Sequence, residues 1–582
     1  EKWLLSKLPV FQAVNTWCPN FRTLTAEKKD YTKSIEIALT LSGGGYRASI
    51  FHIGVLSYLY HLRLDDGSRL LDHITVMSTV SGGTITGMLY LLSLAEDENV
   101  PKHLADMYDK IVANNLANYL LQNVAKKKND SKLSIIKELG NVYDSVFLKG
   151  KTFQSLYDVV QKSHLHHYAA YATDISNALP FRFQVAKKEY GDVTIGNEVK
   201  GIRFDSAKKY RLADILAASS CFPIAFEPIN FPRDFKDYPV SDEYAQSNMQ
   251  TLLMDGGIID NQGVDYLIEA NKQMVAEADD DKGGIDLAII SDAASSADQK
   301  SENNEELNKR TWRDKLCYWL KVFLLFPFFP FIWLKKNIKF FSVNQLMNVL
   351  FICSSYWFIC LVINFNDRWL ALFFCILGFV FLSNYMLLVV FKKGIPKKFS
   401  ESNQFNIPKK LLWDTNFNQY CRIISKRYES FSKVVSTVMM GHIRKKNIEM
   451  LTLNSRWTNR FVIPCISSLI SNGDWKKDEK ARKMMAGAHE LMRISDVASN
   501  FHSTLWFSKD DLDKGIPKQI LACGQFSICY ELYMWVDSHN GRLANMQGVL
   551  SQLSKDLKGT LKEDWGKFKE NPYMLVDLNN LN

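Results

Sequence analysis

Paired cysteines are missing from this sequence. Its ten cysteines are scattered along 582 residues with no C-x-x-C pair, and Cys353, Cys360 and Cys375 sit inside apolar runs. That pattern excludes a disulfide framework and a thiolate zinc site, and it fits a reducing compartment. A metal site built on histidine is not expected either: His164, His166 and His167 crowd together, but no carboxylate or cysteine completes a ligand spacing. A large excess of one charge is lacking, with 71 Lys and Arg against 62 Asp and Glu. No nucleic-acid-binding motif accompanies the small excess, and lysine runs such as 126–128 lie in polar connectors, so nucleic acid is not an expected partner. Internal repeats are absent. The chain begins at Glu1 without a methionine, which leaves room for an upstream segment, and its first residues do not read as a signal peptide.

Long apolar runs, by contrast, are present in one place. From 316 to 391 the sequence is dominated by Leu, Phe, Ile, Val and Trp. Segments 346–363 and 369–391 are each long enough to cross a bilayer, and 365–368 leaves only a short turn between them. Lysines 335, 336 and 339 precede the pair and lysines 392, 393, 397 and 398 follow it, which places both outer ends in the cytoplasm. The stretch 316–334 contains a run from 322 to 334 that carries Pro327 and Pro330, is too short to span, and reads as interfacial. The flanking cations suit the anionic cytoplasmic leaflet. A strand at 285–291 and a second expected at 447–453 should join one domain across this insert, which requires an even number of crossings.

Three glycine-bounded turns carry the chemistry. Residues 35–41 (IEIALTL) read as a buried strand and 47–62 as a helix, with Gly43, Gly44 and Gly45 filling the turn between. Lacking side chains, these glycines can turn backbone N–H groups toward a ligand at a helix N-terminus, as an oxyanion hole requires. Arg47 adds a cation one turn on, for the oxyanion or a substrate phosphate; a surface cation is the competing reading. Segments 74–78 and 84–94 repeat the strand–turn–helix pattern, with Ser81 on the turn beside Gly82 and Gly83. This is a nucleophile elbow, except that Thr79 stands where G-x-S-x-G has its first glycine. A serine hydroxyl needs a partner to take its proton. Asp255, which follows the strand 251–254 and precedes Gly256 and Gly257, is the candidate base, its pKa raised by burial. His52 and His73 read as core or rim residues.

Each motif alone has a plainer reading. Ser81 could cap the helix after it, and Asp255 could mark a turn. Gly43 to Ala48 also fits the dinucleotide fingerprint G-x-G-x-x-G/A, with Asp65 downstream, but that fold gives no reason for a second elbow on the next strand. No Lys-Ser/Thr follows the loop, which excludes a Walker A motif.

Taken together, the three motifs resemble those of the patatin-like phospholipase family: a glycine-rich oxyanion loop, a serine elbow and a D-G-G/A motif. Ala172-Thr173-Asp174 resembles the family's A-T-D segment, 212–226 its A-S-x-x-x-P helix and turn, and 494–507 and 519–533 its C-terminal helices. Ser42, Ala48 and Thr79 depart from the residues common at those positions. The resemblance implies an α/β fold, a three-layer α/β/α hydrolase domain with a central mostly parallel sheet, interrupted here by a transmembrane helical hairpin. The expected layout is an N-terminal extension (1–33), the first part of the catalytic domain (34–292), a polar linker (293–312), the membrane insert (313–398), a second linker (399–410), the C-terminal part of the domain (411–549) and a charged helix and tail (550–582), the helix at 550–569 being exposed. The implied activity is hydrolysis of a phospholipid or other lipid ester by a Ser81–Asp255 dyad through an acyl-enzyme, with no cofactor. Gly43, Gly44, Gly45 and Arg47 would serve the oxyanion, and Gly82, Gly83, Gly256 and Gly257 would support the two loops. An acyltransferase, a neutral-lipid lipase or a non-catalytic membrane scaffold remains open.

Overall fold

Along the first strand, β1 (Ile37–Leu41), alternate side chains enter two different apolar cores: Ile37, Leu39 and Leu41 one, Ala38 the other. A strand buried on both faces needs helices on both sides of its sheet, and that fixes three layers. The computed structural model describes residues 35–96, 99–127, 133–188, 194–199, 201–223, 225–236, 251–277, 283–294, 430–431, 434–538 and 549–581. The N-terminal extension, the expected membrane hairpin and the linker 399–410 lie outside them. The chain divides into two units, Glu1–Gln299 with Val438–Asn582, and Lys300–Thr437. All elements named below belong to the first.

After β1 comes α1 (Gly45–His61), whose residues 46 to 59 are all buried. Then follow β2 (Ile74–Val80) and α2 (Gly82–Ser93), and later β3 (His167–Asp174) and β4 (Leu179–Ala186). The short strands β5 (Thr194–Gly196) and β6 (Gly201–Arg203) lead to α3 (Leu212–Ser219). Next are β7 (Ile229–Phe231), β8 (Thr251–Asp255), the single turn α4 (Gly257–Asp260), α5 (Val264–Glu277) and β9 (Leu287–Ser291). Beyond residue 430 stand α6 (Met440–Leu453), β10 (Phe461–Val462), α7 (His489–Asn500), α8 (Ile516–Ser538) and α9 (Val549–Glu570).

The sheet order among the described residues is β10-β9-β1-β2-β3-β4-β5-β6, with β8 on β3 and β7 on β8. Pairs from β10 to β3 are parallel, whereas β3–β4, β4–β5, β5–β6, β3–β8 and β7–β8 are antiparallel. The sheet is therefore mixed, not mostly parallel. The reason is local: β4 to β6 return as successive hairpin neighbours, without the helical crossover that a parallel pair requires.

Two further expectations need correction. Residues 447–453 form the end of α6, and the strand that rejoins the sheet after residue 430 is β10, pairing in parallel with β9 through Phe461↔Ala288 and Val462↔Ile289. Asn447 and Leu451, four residues apart, are the buried positions of α6, a helical spacing. The helix expected to be exposed at 550–569 is α9, which buries Leu550, Leu553, Leu557, Leu561, Trp565 and Phe568. It is amphipathic and packed. Residues 494–507 are helical only as far as Asn500. Among the described residues no helix is long and apolar enough to cross a bilayer.

Backbone contact replaces side-chain packing where α8 crosses α1. A Cβ on Gly54 would fall on the carbonyl oxygen of Leu521, and one on Gly524 on the carbonyl oxygen of Phe51. The two glycines let the helix axes approach more closely than any side chain would permit. Because α1 opens directly from the glycine-rich loop, this crossing also fixes where that loop lies.

Candidate active site

Two strands run toward each other along one edge of β3 and stop nose to nose. Val80, the last residue of β2, pairs with Tyr171, and Asp255, the last residue of β8, pairs with the next residue, Ala172. Ser81 follows Val80 directly. The register thus delivers the serine and the aspartate to one point, where the Ser81 hydroxyl acts against the effect of burial on the Asp255 carboxyl.

Ser81 adopts φ 50°, ψ −115°, a conformation that L-residues avoid and that turns its side chain out of the sheet. The sharp turn presses it against its surroundings. A Cβ on Gly82 would meet the Gly45 backbone, and one on Gly83 would meet the carbonyl oxygens of Leu41 and Ser42. The Ser81 N–H donates to Ser219 Oγ at 3.0 Å, and Thr84 Oγ1 lies 2.9 Å from the same hydroxyl. The elbow is therefore braced from α3.

Asp255 is buried, and burial pushes its pKa up to about 6, against the opposing hydrogen bonds from the Gly257 N–H at 2.8 Å and from Ser81. A carboxylate in that range can accept a proton and return it near neutral pH. Its backbone is held three ways. Thr173 Oγ1 donates to the Asp255 carbonyl at 2.8 Å, the Asp255 N–H donates to the Cys221 carbonyl at 2.9 Å, and the Gly256 N–H to the Ser219 carbonyl at 3.3 Å. Gly256 lies tight against Tyr171, where a Cβ would come within 2.7 Å of that residue's Cβ and carbonyl oxygen.

The glycine-rich loop passes directly over the serine: a Cβ on Gly43 would stand 3.2 Å from Ser81 Cβ. Gly44 and Gly45 have φ of 146° and 60°, left-handed values that favour glycine. The Gly43 N–H is already donated to the Asn261 carbonyl at 3.2 Å. Among the described residues no hydrogen bond engages the N–H groups of Gly44 and Gly45, which open α1 at its positive end. Arg47 is buried, with Nη1 donating to the Phe501 carbonyl at 2.5 Å and Nη2 beside Gly44. It is no surface cation; it ties the loop to the segment after α7.

His52 is fully buried, with Nδ1 2.7 Å from Ser291 Oγ and Nε2 2.9 Å from the Ser42 carbonyl. Burial pulls its pKa down to about 4, so it is a neutral brace between β1 and β9. His73 precedes β2 at the end remote from Ser81 and bonds Ser68 Oγ at 2.8 Å. Neither histidine joins the pair. Among the described residues no group of three or more His, Cys, Asp or Glu side chains is arranged to hold a metal.

Residues 39–268 match the family profile described as patatin-like phospholipase. This part of the chain belongs to the patatin-like phospholipase family. No curated protein matches the sequence. Among solved structures the chain is similar to human GIVD cytosolic phospholipase A2 at 13% identity, over 44% of this chain and 43% of that one, with a TM-score of 0.28. The same human enzyme in complex with methyl gamma-linolenyl fluorophosphonate inhibitor and terbium chloride gives 15% identity, 45% and 41% coverage and a TM-score of 0.26. VipD from Legionella pneumophila gives 11% identity over 98% and 96% of the chains, with a TM-score of 0.23. The chain spans less than half the length of the human enzyme. At the level of the family, the match supports lipid acyl hydrolysis.

Within the patatin-like domain, the three departures have structural partners. Thr79 fits because its Cγ2 occupies the space left by Gly87 of α2, while its Oγ1 lies 3.1 Å from both Tyr168 Oη and the Ala169 carbonyl. Ser42 Oγ accepts the Ala293 N–H at 2.8 Å. Ala48 Cβ would stand 3.2 Å from a Cβ on Gly44, close packing that leaves little room for a larger residue. Ser219, Thr173 and Asn261 were not singled out from sequence. The A-S-x-x-x-P and A-T-D segments hold the first two, but nothing in a linear reading says which hydroxyl faces the elbow.

Proposed function

We propose that this chain is a membrane-anchored phospholipase or lipid acyl hydrolase acting through a Ser81–Asp255 dyad. The observation that carries the reading is the meeting of β2 and β8 on one edge of β3, which brings a strained serine and a buried aspartate of raised pKa to one point. Ser81 Oγ attacks the ester carbonyl while Asp255 takes its proton. Charge developing on the carbonyl oxygen meets the N–H groups of Gly44 and Gly45, which are preorganised and cost no rearrangement when the charge appears. The proton on Asp255 passes to the leaving alcohol, and water then releases the fatty acid. In this scheme Arg47 and Gly43 hold the loop, and Gly82, Gly83, Gly256 and Gly257 allow its close packing.

Fatty-acid release from mixed phospholipid vesicles tests the reading. Wild type is expected to release free acid, and Ser81→Ala to fall by about 10³-fold or more, as loss of a nucleophile demands. Equal release by both would remove Ser81 from the chemistry. An added alcohol acceptor separates hydrolysis from acyl transfer, through the ratio of free acid to new ester.

The membrane anchor rests on the apolar runs 346–363 and 369–391, with their flanking lysines. The neighbouring positions of β9 and β10, which lie on either side of this segment in sequence and beside each other in the sheet, limit how it can cross. A chain that leaves and rejoins one sheet crosses a bilayer an even number of times. Two spans with the catalytic domain on the cytoplasmic side satisfy that condition, and fixing the domain at the lipid surface raises the effective substrate concentration. Alkaline carbonate washing is expected to leave the full chain in the membrane pellet and to release a chain lacking 313–398. Release of the full chain would show that these runs do not span.

A further inference from the structure

The scheme above leaves one polar group at the dyad unused, the carboxamide of Asn261. This residue is 2% exposed, and its Oδ1 has no hydrogen-bond partner among the described residues. A buried amide oxygen without a partner calls for an explanation, and a ligand held only during the reaction is one. The position is specific. Asn261 follows α4, and its backbone carbonyl receives the Gly43 N–H of the glycine-rich loop. Its Oδ1 lies 2.6 Å from where a Gly43 Cβ would stand, a point 3.2 Å from Ser81 Cβ. The same Oδ1 lies 2.5 Å from where a Gly257 Cβ would stand, a point 3.0 Å from Asp255 Oδ1. The unpaired oxygen thus lies close to both reacting side chains, and a side chain at either glycine would collide with it.

A Ser–Asp dyad must place its second substrate without help from a histidine. Once Ser81 is acylated it no longer donates to Asp255, whose carboxylate is free to accept one O–H of a water. The second O–H needs an acceptor too, otherwise the water can rotate and its lone pair is not held toward the acyl carbonyl. We propose that Asn261 Oδ1 is that acceptor, making Asn261 a catalytic residue for hydrolysis of the acyl-enzyme. The water oxygen bonds to the acyl carbon as its proton moves to Asp255. The bond from that carbon to Ser81 Oγ then breaks, and Asp255 returns the proton to Oγ. The products are a carboxylic acid, a neutral serine and an ionised aspartate. This proposal rests on the acyl-enzyme reading above, and it assigns Asn261 no part in the attack on the ester.

Pre-steady-state release of p-nitrophenol from a p-nitrophenyl acyl ester by the full-length protein tests it, together with the mass of acid-quenched enzyme. In Asn261→Ala the burst is expected to stay within about twofold of wild type. Steady-state turnover should fall by about 10- to 100-fold, the loss expected for one positioning hydrogen bond, and acyl-Ser81 should accumulate. Should Asn261→Ala fail to fold, the near-isosteric Asn261→Leu carries the same expectation, its burst amplitude reporting intact sites. Burst and turnover falling together, or turnover at the wild-type rate with no accumulated acyl-enzyme, would overturn the assignment. Ser81→Ala run in parallel tells the two failures apart. If it turns over like wild type, the dyad reading falls and takes this proposal with it; if it is inactive while Asn261→Ala is normal, only the role of Asn261 is lost.

Discussion

Asp255→Asn is expected to lower turnover of a lipid ester by about 10²- to 10⁴-fold, the range for removing a positioned general base. It is also expected to make the fold more stable at alkaline pH. Both effects follow from one cause. Burial raises the carboxyl pKa from 3.8 to about 6, so the folded state holds this proton more tightly than the unfolded chain does. Stability from this group is present in full below about 4, and it is lost as pH rises through 6 and the buried carboxylate ionises. Asparagine has the same shape and can still accept the Gly257 N–H, but it carries no charge. At pH 8 the variant should therefore exceed wild type by something on the order of 1 to 3 kcal/mol, and the difference should vanish as pH falls toward 4. A thermal melt at each pH reads this directly. Wild-type activity should show an acid limb near pH 6, inactive below and active above. Asp260 is also pushed up to about 6 by burial, while it accepts the N–H groups of Gln262, Gly263 and Asp265 at the start of α5. Tryptophan fluorescence across the same range therefore has to show the domain folded where activity disappears. A variant as inactive as expected but markedly less stable than wild type at pH 8 would mean that Asp255 is structural.

Gly54→Val should be the most damaging single substitution outside the site. Its Cβ would meet the Leu521 carbonyl oxygen and stand 3.0 Å from Gly524 Cα, so no side-chain rotation can relieve it. Overpacking a core against flexible side chains costs about 1–3 kcal/mol; against a facing backbone the helices must separate, and the loss should exceed that range. Domains of this kind are stable by only about 5–15 kcal/mol, so a large drop in folded yield is expected. Gly559→Ala in α9 is the matched control. A Cβ there meets nothing within 4 Å, and the change should stabilise by about 0.5–1 kcal/mol through helix propensity. Equal melting temperatures for Gly54→Val and wild type would show that α1 and α8 do not rely on this contact.

The three glycine-bounded motifs were legible because each couples an apolar run to a local break, and both signals lie within about ten residues. The strands at 35–41, 74–78 and 251–254 emerged within two residues of their observed ends. Pairing was not legible. Nothing local distinguishes a hairpin return from a crossover after β3, and the mixed sheet was missed for that reason. In 447–453, polar and apolar residues partly alternate, which imitates a strand. Packing decided otherwise, since Asn447 Nδ2 reaches Asp260 Oδ1 at 2.7 Å and Arg444 Nε reaches Asp292 Oδ2 at 3.1 Å, pinning a helix across the turn that holds Asp255. The frequent lysines of 550–569 concealed an apolar stripe that its own spacing records. The braces of the site, Ser219 to Ser81 and Thr173 to Asp255, span 138 and 82 residues, a distance at which sequence pattern carries no signal.

The crossing of Gly54 and Gly524 sets a condition on how this protein comes into being. Serine and aspartate leave the ribosome long before the helix that covers α1, and the wall behind the glycine-rich loop is completed only after residues 295–429 have been made. An emerging chain holds both reacting side chains without the element that fixes the loop above them. The candidate site is thus assembled last, once the segment expected to anchor it has already been synthesised.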